Sequence, residues 1–333
     1  MPNSHIGNLV ISLPAVAALQ NHFQSIPHYL VVDSAFKEIV APLFAPEFTR
    51  YYPRARANQG GIFFRMLAYF KFLREIKAIQ PDITIDLEGS STSSIFTQVS
   101  CATHCLAGRN AARPDVYTVK AEPEKGKHKV QAYKAIAAAA GAAIDEQPFS
   151  YHPAAAMRLS VDKKLAEAGI DRERPIICIH AGAGRLQKLW TIEGYADVAD
   201  WLAARGHQVL FVGGPAEAGR TEEILAKLQH RVFNFTGSLS LGELLALLEK
   251  CSVFLGNDSG PMHMADAMGT AVVALFSYAD EHEWGPCSAR SVVLRGQKPC
   301  DDCIKKKCED PRCINTLGAE PVKRAVVSFL DRL

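Results

Sequence analysis

The sequence predicts an α/β protein made of doubly wound parallel sheets in two domains. Three observations carry that expectation. Short β-branched runs alternate with longer amphipathic ones, which is the pattern of parallel strands joined by helical crossovers. The chain has 333 residues, where a single domain takes roughly 100–200. The stretch from Gln147 to Ala155, holding Pro148 and Pro153, falls near the middle and reads as a boundary between residues 1–150 and the remainder.

Taken in order, Gly7-Asn8 opens an amphipathic helix over Leu9–His22. An α/β fold puts a strand before such a helix, yet only six residues precede Gly7, Pro2 among them, and they are not strand-like. The first strand of the first sheet is therefore expected to be missing. Tyr29–Asp33 (YLVVD) reads as a strand, Ile62–Ile79 as a strongly apolar helix, Ile83–Leu87 (ITIDL) as a strand and Ala132–Ala143 as an alanine-rich helix.

The second half is more regular. Ile176–His180, His207–Val212, Val232–Phe235, Val253–Gly256 and Ala271–Phe276 read as strands. Ile192–Ala204, Ala216–Leu228, Leu241–Glu249 and Pro261–Met268 read as the helices between them. Ligands of doubly wound sheets collect beyond the carboxyl ends of the strands. Three such ends are polar or glycine-rich here: HAGAGRLQKLW after the first strand, GGPAE after the second and GNDSG after the fourth.

Bulk properties narrow the function classes. The apolar fraction is 48% and the charged fraction 22%, as in proteins with real cores. A net charge of +2 lacks the basic excess of a nucleic-acid-binding protein, so no nucleic-acid partner is expected. No run of about 18 uninterrupted apolar residues occurs, and the amino terminus lacks a basic n-region and a cleavage site. A cytoplasmic location is the expectation. The nine cysteines, five of them scattered singly, fit a reducing compartment better than a disulfide framework.

The junction FLGNDSGPMHMADAMGTAVVALF, Phe254–Phe276, concentrates Asp258, Ser259, Gly260 and His263 between a strand and a helix. Capping accounts for part of it, since Asp and Ser are favoured N-caps and Pro261 suits the first helical position. The alternative is that a helix N-terminus at the end of a strand binds an anion, phosphate above all.

Asp258-Ser259-Gly260-x-x-His263, with Ala267, Gly269 and Trp284–Pro286, resembles the signature of glycosyltransferase family 9, the bacterial ADP-heptose:lipopolysaccharide heptosyltransferases. Lys188 and Trp190, Gly213-Gly214-Pro215-x-Glu217, the opening HIGNLVISLPAVAAL and the late cysteines follow in family order. The resemblance implies a GT-B architecture: two Rossmann-like domains facing across a cleft, with acceptor on residues 1–150 and nucleotide sugar on 151–318. It also implies that the C-terminal helix of 319–333 packs back on the first domain. The implied activity is inverting transfer of a heptose from ADP-heptose to the inner core of lipopolysaccharide, with no metal at the active site. The lipid acceptor implies peripheral contact with the inner membrane.

Chemically, Lys188 supplies a cation where the diphosphate leaves, and Ser259, Gly260 and the following amides supply hydrogen-bond donors. Asp258 suits donor hydroxyls or the orientation of nearby amides. Glu217 resembles the family carboxylate that meets the ribose diol. His263 is a donor-site candidate or a structural histidine bonded to a backbone carbonyl, and Trp190 reads as core packing. Asn8 stands where the family places an aspartate as general base. An amide can hydrogen-bond a hydroxyl but cannot take its proton, and losing a positioned base costs about 10²–10⁴ in rate. His5 is the nearest substitute. A non-catalytic GT-B protein that binds a nucleotide sugar and a sugar-nucleotide epimerase are the alternatives. A nicotinamide dehydrogenase is disfavoured, because no G-x-G-x-x-G follows a first strand.

Cys300-x2-Cys303-x4-Cys308-x4-Cys313 has the spacing of a thiolate knuckle, so a structural zinc or iron site is an expectation, with a reduced loop as the alternative.

Overall fold

The computed structural model describes residues 5–53, 61–124, 126–145, 150–298, 300, 303 and 307–332. The chain divides into two compact units, Met1–Phe149 and Ser150–Leu333. The extended Tyr151, His152 and Pro153 follow that division directly.

The first unit opens on helix α1 (Ile6–His22), which buries Leu9, Val10, Leu13 and Val16. Strand β1 (Leu30–Asp33) pairs in parallel with β2 (Thr49–Tyr52), Leu30 opposite Thr49 and Asp33 opposite Tyr52. Helix α2 (Ile62–Ile79) leads into β3 (Ile83–Asp86), α3 (Ser91–Ser100), β4 (His104–Gly108), β5 (Val119–Ala121) and α4 (Lys129–Ala139). β3, β4 and β5 form a second parallel sheet in that order, separate from β1–β2. Among the described residues no strand precedes α1.

Several of these elements are invisible to periodicity. Helix α3 is STSSIFTQVS, and serine and threonine compete with helical hydrogen bonds. It forms because Ser90 accepts from the Ser93 amide at 3.2 Å and because Ser94 and Thr97 are buried against the sheet. Behind it, Asp86 at the end of β3 accepts from the Glu88 and Gly89 amides at 2.9 and 3.0 Å and from the Tyr117 hydroxyl at 2.5 Å. Burial alone would push the Asp86 carboxyl up, yet the group is held below its ordinary value, the Tyr117 hydroxyl and the Gly89 amide contributing to the lowering.

The second unit begins with α5 (Ala155–Ala168), followed by β6 (Ile176–His180), α6 (Ile192–Ala204), β7 (Gln208–Val212), α7 (Ala218–Leu225) and β8 (Phe233–Asn234). Then come α8 (Leu241–Leu248), β9 (Val253–Asn257), α9 (Gly260–Ala267), β10 (Ala271–Leu275), β11 (Ser291–Leu294) and α10 (Ala319–Leu330). All six strands are parallel, in the order β11-β10-β9-β6-β7-β8. The sequence reading stopped at five strands. β11 is a half-buried edge strand whose SVVL is too short to stand out. β6, β7, β9 and β10 are buried along their whole lengths, which is why they read as unbroken apolar runs. The core joins Ile177, Ile179, Val209, Phe211, Leu255 and Val273 to the apolar faces of α6 and α10.

Helix α10 packs on the second unit. Its apolar face, Val322, Val326 and Phe329, is part of the second unit's core. The Lys323 ammonium donates to Asp197 on α6 and to Glu320, each at 2.9 Å. The Trp190 indole donates to Leu317 O at 2.8 Å just before the helix. The apolar face of α10 is thus used within the second unit.

Candidate functional site

The site grows from three adjacent strand ends. β6 ends at His180, β7 runs out into Gly213-Gly214, and β9 ends at Asn257. The loop leaving β6 is fastened at both ends. Asn257, fully buried, donates to Ala181 O and Gly182 O at 3.2 and 3.0 Å and accepts from the Trp190 amide at 3.1 Å. Arg220 on α7 reaches the same loop from the other side, donating to Ala181 O at 3.0 Å and to Trp190 O. Trp190 itself is fully buried and meets Tyr195 edge-on, in keeping with its reading as core packing.

This clamp positions Lys188 at the end of a short 3₁₀ turn, Leu186–Lys188. Its ammonium donates to Asp258 Oδ2 at 2.5 Å and lies 5.9 Å from the Tyr278 ring centroid. The Asp258 side chain is 7% exposed and that of Lys188 22%, so the pair is shielded on one side and open on the other. Asp258 is fixed from behind, its amide donating to Leu275 O at 3.0 Å.

The second half of the site centres on His180, which the sequence reading placed only as the last residue of a strand. Its ring is buried between two groups named from the sequence: Nε2 lies 3.1 Å from Glu217 Oε1, and Nδ1 lies 3.2 Å from Ser259 Oγ. A carboxylate only accepts, so Nε2 carries a proton. In the neutral ring Nδ1 then accepts from the Ser259 hydroxyl. Glu217 also accepts from the Gly214 amide at 2.7 Å. Burial would raise its pKa, but the histidine and this amide prevail and hold it below the ordinary glutamate value. Gly182 makes room for the carboxylate, because a Cβ there would lie 1.5 Å from Glu217 Oε1.

The expected capping is only half realised. Ser259 is the N-cap of α9 by position, but its side chain makes no cap bond and turns to His180 instead. Gly260 is the first helical residue, ahead of Pro261, and α9 has no acidic residue in its first turn. The helix N-terminus therefore adds its positive end to the Lys188 cation. His263 is buried one turn further on.

Asn8 lies in the first unit, half-buried, at the third residue of α1. The helix starts three residues earlier than expected, with His5 as the N-cap making no side-chain cap bond, so Asn8 lies within the first turn rather than ahead of it. The first turn of α1 contains no acidic residue.

Among the described residues no three His, Cys, Asp or Glu side chains are gathered closely enough to hold a metal ion. Cys300 is exposed, while Cys303, Cys308 and Cys313 are half-buried. The Cys313 thiol is pushed up by burial and by the neighbouring Cys303, Cys308 and Cys300.

Comparison with known proteins adds the lineage. The family described as Glycosyltransferase family 9 (heptosyltransferase) matches residues 69–313. The lipopolysaccharide heptosyltransferase 3 of Escherichia coli is 23% identical over 98% of this chain and 96% of its own length. The lipopolysaccharide core heptosyltransferase OpsX of Haemophilus influenzae is 36% identical over a shorter stretch, 35% of this chain and 34% of that protein. In three dimensions, the ADP-heptose lps heptosyltransferase II of E. coli superposes with a TM-score of 0.79 at 19% identity, covering 99% of this chain and 97% of that one. The fold is therefore that of the GT-B heptosyltransferases, built from two Rossmann-like units.

Proposed function

The chain belongs to glycosyltransferase family 9 and is a glycosyltransferase. From that premise we propose that it moves a heptose from ADP-heptose to an inner-core sugar of lipopolysaccharide with inversion. The observation that carries the donor assignment is the Lys188–Asp258 pair beside Ser259 and the positive end of α9. In this reading the diphosphate lies against Lys188 and the α9 amides. Glu217, held ionised by His180, meets a diol of the donor. The acceptor oxygen bonds to the anomeric carbon on the face opposite the diphosphate. The carbon–oxygen bond to phosphate breaks, and the electron pair leaves with ADP, stabilised by charge already in place without a divalent metal. The acceptor proton passes to a base.

The test is incubation with ADP-heptose and heptose-deficient lipopolysaccharide. The acceptor should gain one heptose by mass, ADP should be released in equal amount, and the new bond should have inverted configuration. Turnover only with a different nucleotide sugar would overturn the donor assignment. Donor binding without turnover would favour the second reading, a nucleotide-sugar-binding protein. Asn8, in a first turn with no carboxylate, is the observation behind it.

Peripheral membrane contact belongs to the same proposal. Ile62, Phe63, Phe64, Met66, Leu67 and Phe70 on α2 are 51–72% exposed, far beyond isolated surface hydrophobes. Exposed Lys71, Arg74 and Lys77 follow on the same helix, a combination suited to an anionic lipid surface. No described helix is long and apolar enough to cross a membrane.

A further inference from the structure

Glu217 and Lys188 account for the diol and the diphosphate of the proposed donor, and neither accounts for the sugar that is transferred. Strand order gives the direction in which that sugar lies. The sheet runs β10-β9-β6-β7 through this region. Glu217 follows β7, Lys188 sits on the turn after β6, and Asp258 and Ser259 follow β9. The donor contacts thus advance along one edge of the sheet, diol first and diphosphate next. In a nucleoside diphosphate sugar, the sugar is bonded to the phosphate farther from the ribose. It therefore continues past Lys188 in the same direction, toward the end of β10. From β7 to β10 the sheet steps across three strand intervals, roughly 14 Å at the usual spacing. An extended ribose, diphosphate and sugar cover such a span.

The end of β10 carries Tyr278. Its ring centroid lies 5.9 Å from Lys188 Nζ, at the outer range of a cation–π contact. The rings of Trp190, Tyr195 and Phe276 in the same unit are fully buried, whereas Tyr278 is half-buried and retains an accessible surface. Its backbone is fixed independently of the ring. Arg295, directly after β11, donates to the carbonyls on either side of Tyr278, to Ser277 O at 3.2 Å and to Ala279 O at 3.3 Å. The same guanidinium is paired with Glu281. The segment that presents Tyr278 is thus ordered in the absence of ligand, which lowers the cost of using it for recognition.

We propose that Tyr278 is a specificity-determining residue for the donor sugar: its ring packs on the C–H face of the transferred pyranose while Lys188 holds the phosphate bonded to that sugar. The inference rests on the donor site described under the proposed function and adds to it the contact that distinguishes a nucleotide sugar from a free nucleotide. The chemistry suits the pair. A pyranose carries hydroxyls around its edge and C–H groups on its faces, and a tyrosine ring offers a flat apolar face with a polar tip. A tyrosine also has few rotatable bonds to freeze when it makes such a contact. The competing role, a ring that merely shields the Lys188 ammonium, would affect sugar-bearing and sugar-free nucleotides alike.

The test is calorimetric binding of ADP and of ADP-heptose to the full chain and to Tyr278→Ala and Tyr278→Phe. Tyr278→Ala should weaken ADP-heptose by about tenfold and leave ADP within about twofold of wild type. Tyr278→Phe, which keeps the ring face, should bind both as wild type does. Since Arg295 rather than the ring fixes this backbone, the alanine variant should keep the wild-type thermal midpoint; Tyr278→Leu, bulky but not flat, provides the same comparison if it does not. An equal loss for ADP and ADP-heptose would overturn the proposal and make the ring a support for Lys188. Unchanged affinity for both would overturn it too, as would a phenylalanine variant as weak as the alanine one. If the wild type prefers another nucleotide sugar, the donor identity fails, and the comparison between that sugar and its free nucleotide still decides the role of Tyr278. A wild type that binds no nucleotide sugar would overturn both readings.

Discussion

Lys188 Nζ lies 2.5 Å from Asp258 Oδ2, and this pair ties the turn after β6 to the end of β9. The cation that would meet a leaving diphosphate is held by a carboxylate that has little other access to water. Lys188→Ala should lower kcat/KM by about 10²–10³, or about 2.7–4 kcal/mol, as when a preorganised charge-stabilising donor is removed. It should also lower thermal stability, because Asp258 is left without its counter-charge. The double variant Lys188→Ala/Asp258→Ala should recover stability and not activity. Unchanged kcat/KM in folded Lys188→Ala would remove the lysine from the site.

His180 holds Glu217 and Ser259 at once, so it is a positioning residue for the donor. His180→Ala should raise KM for the donor about 10-fold or more, with a smaller change in kcat. That split separates positioning from participation in the chemical step. Gly182→Ala should act in the same direction by a different route, since its new Cβ would collide with the Glu217 carboxylate. A uniform loss of folding in both variants, without a KM effect at permissive temperature, would assign these residues to structure alone.

Asn8→Asp should increase turnover about 10-fold or more, since it supplies a proton acceptor where an amide has none. The third residue of α1 lies in the first helical turn, whose positive end favours an ionised carboxylate. Wild-type turnover already in the ordinary range for transferases, with no gain from the aspartate, would direct the search for the base to His5.

The exposed face of α2 makes a prediction separable from catalysis. Phe63→Ser/Phe64→Ser should reduce co-sedimentation with vesicles rich in phosphatidylglycerol, because both rings are about 70% exposed and apolar area drives interfacial binding. Activity on a delipidated acceptor should stay unchanged. Equal sedimentation of both forms would show that this face does not meet lipid.

Acid should unfold the second unit partly through Glu217. Its folded pKa lies below the ordinary 4.5, so its contribution to stability is fully present above that pH. The contribution is lost as pH falls through the lower folded value. Glu217→Gln should flatten the fall of the thermal midpoint below pH 4.5 and leave the neutral range less affected. A parallel pH profile in the variant would show that Glu217 is not the titrating group.

The sequence by itself determined the second unit's central strands, because parallel strands buried on both faces must be continuous apolar runs, and its loaded mouths, because glycine and acidic residues interrupt those runs abruptly. Ile176–His180 and Ile192–Ala204 were legible to the residue. The serine-rich α3 and the short β2, β4, β5 and β11 were not, since their formation depends on neighbours rather than on their own period. Lys188, Asp258, Ser259 and Glu217 were legible as residues but not as two linked pairs. Only the fold decided that His180 joins Glu217 to Ser259, that Asn257 and Arg220 fasten the Lys188 loop, and that the face of α10 is spent on its own unit. The physical reason is range. Local sequence fixes propensity and the period of burial, whereas a hydrogen bond between residues 37 or 79 positions apart exists only once the strand ends are brought side by side.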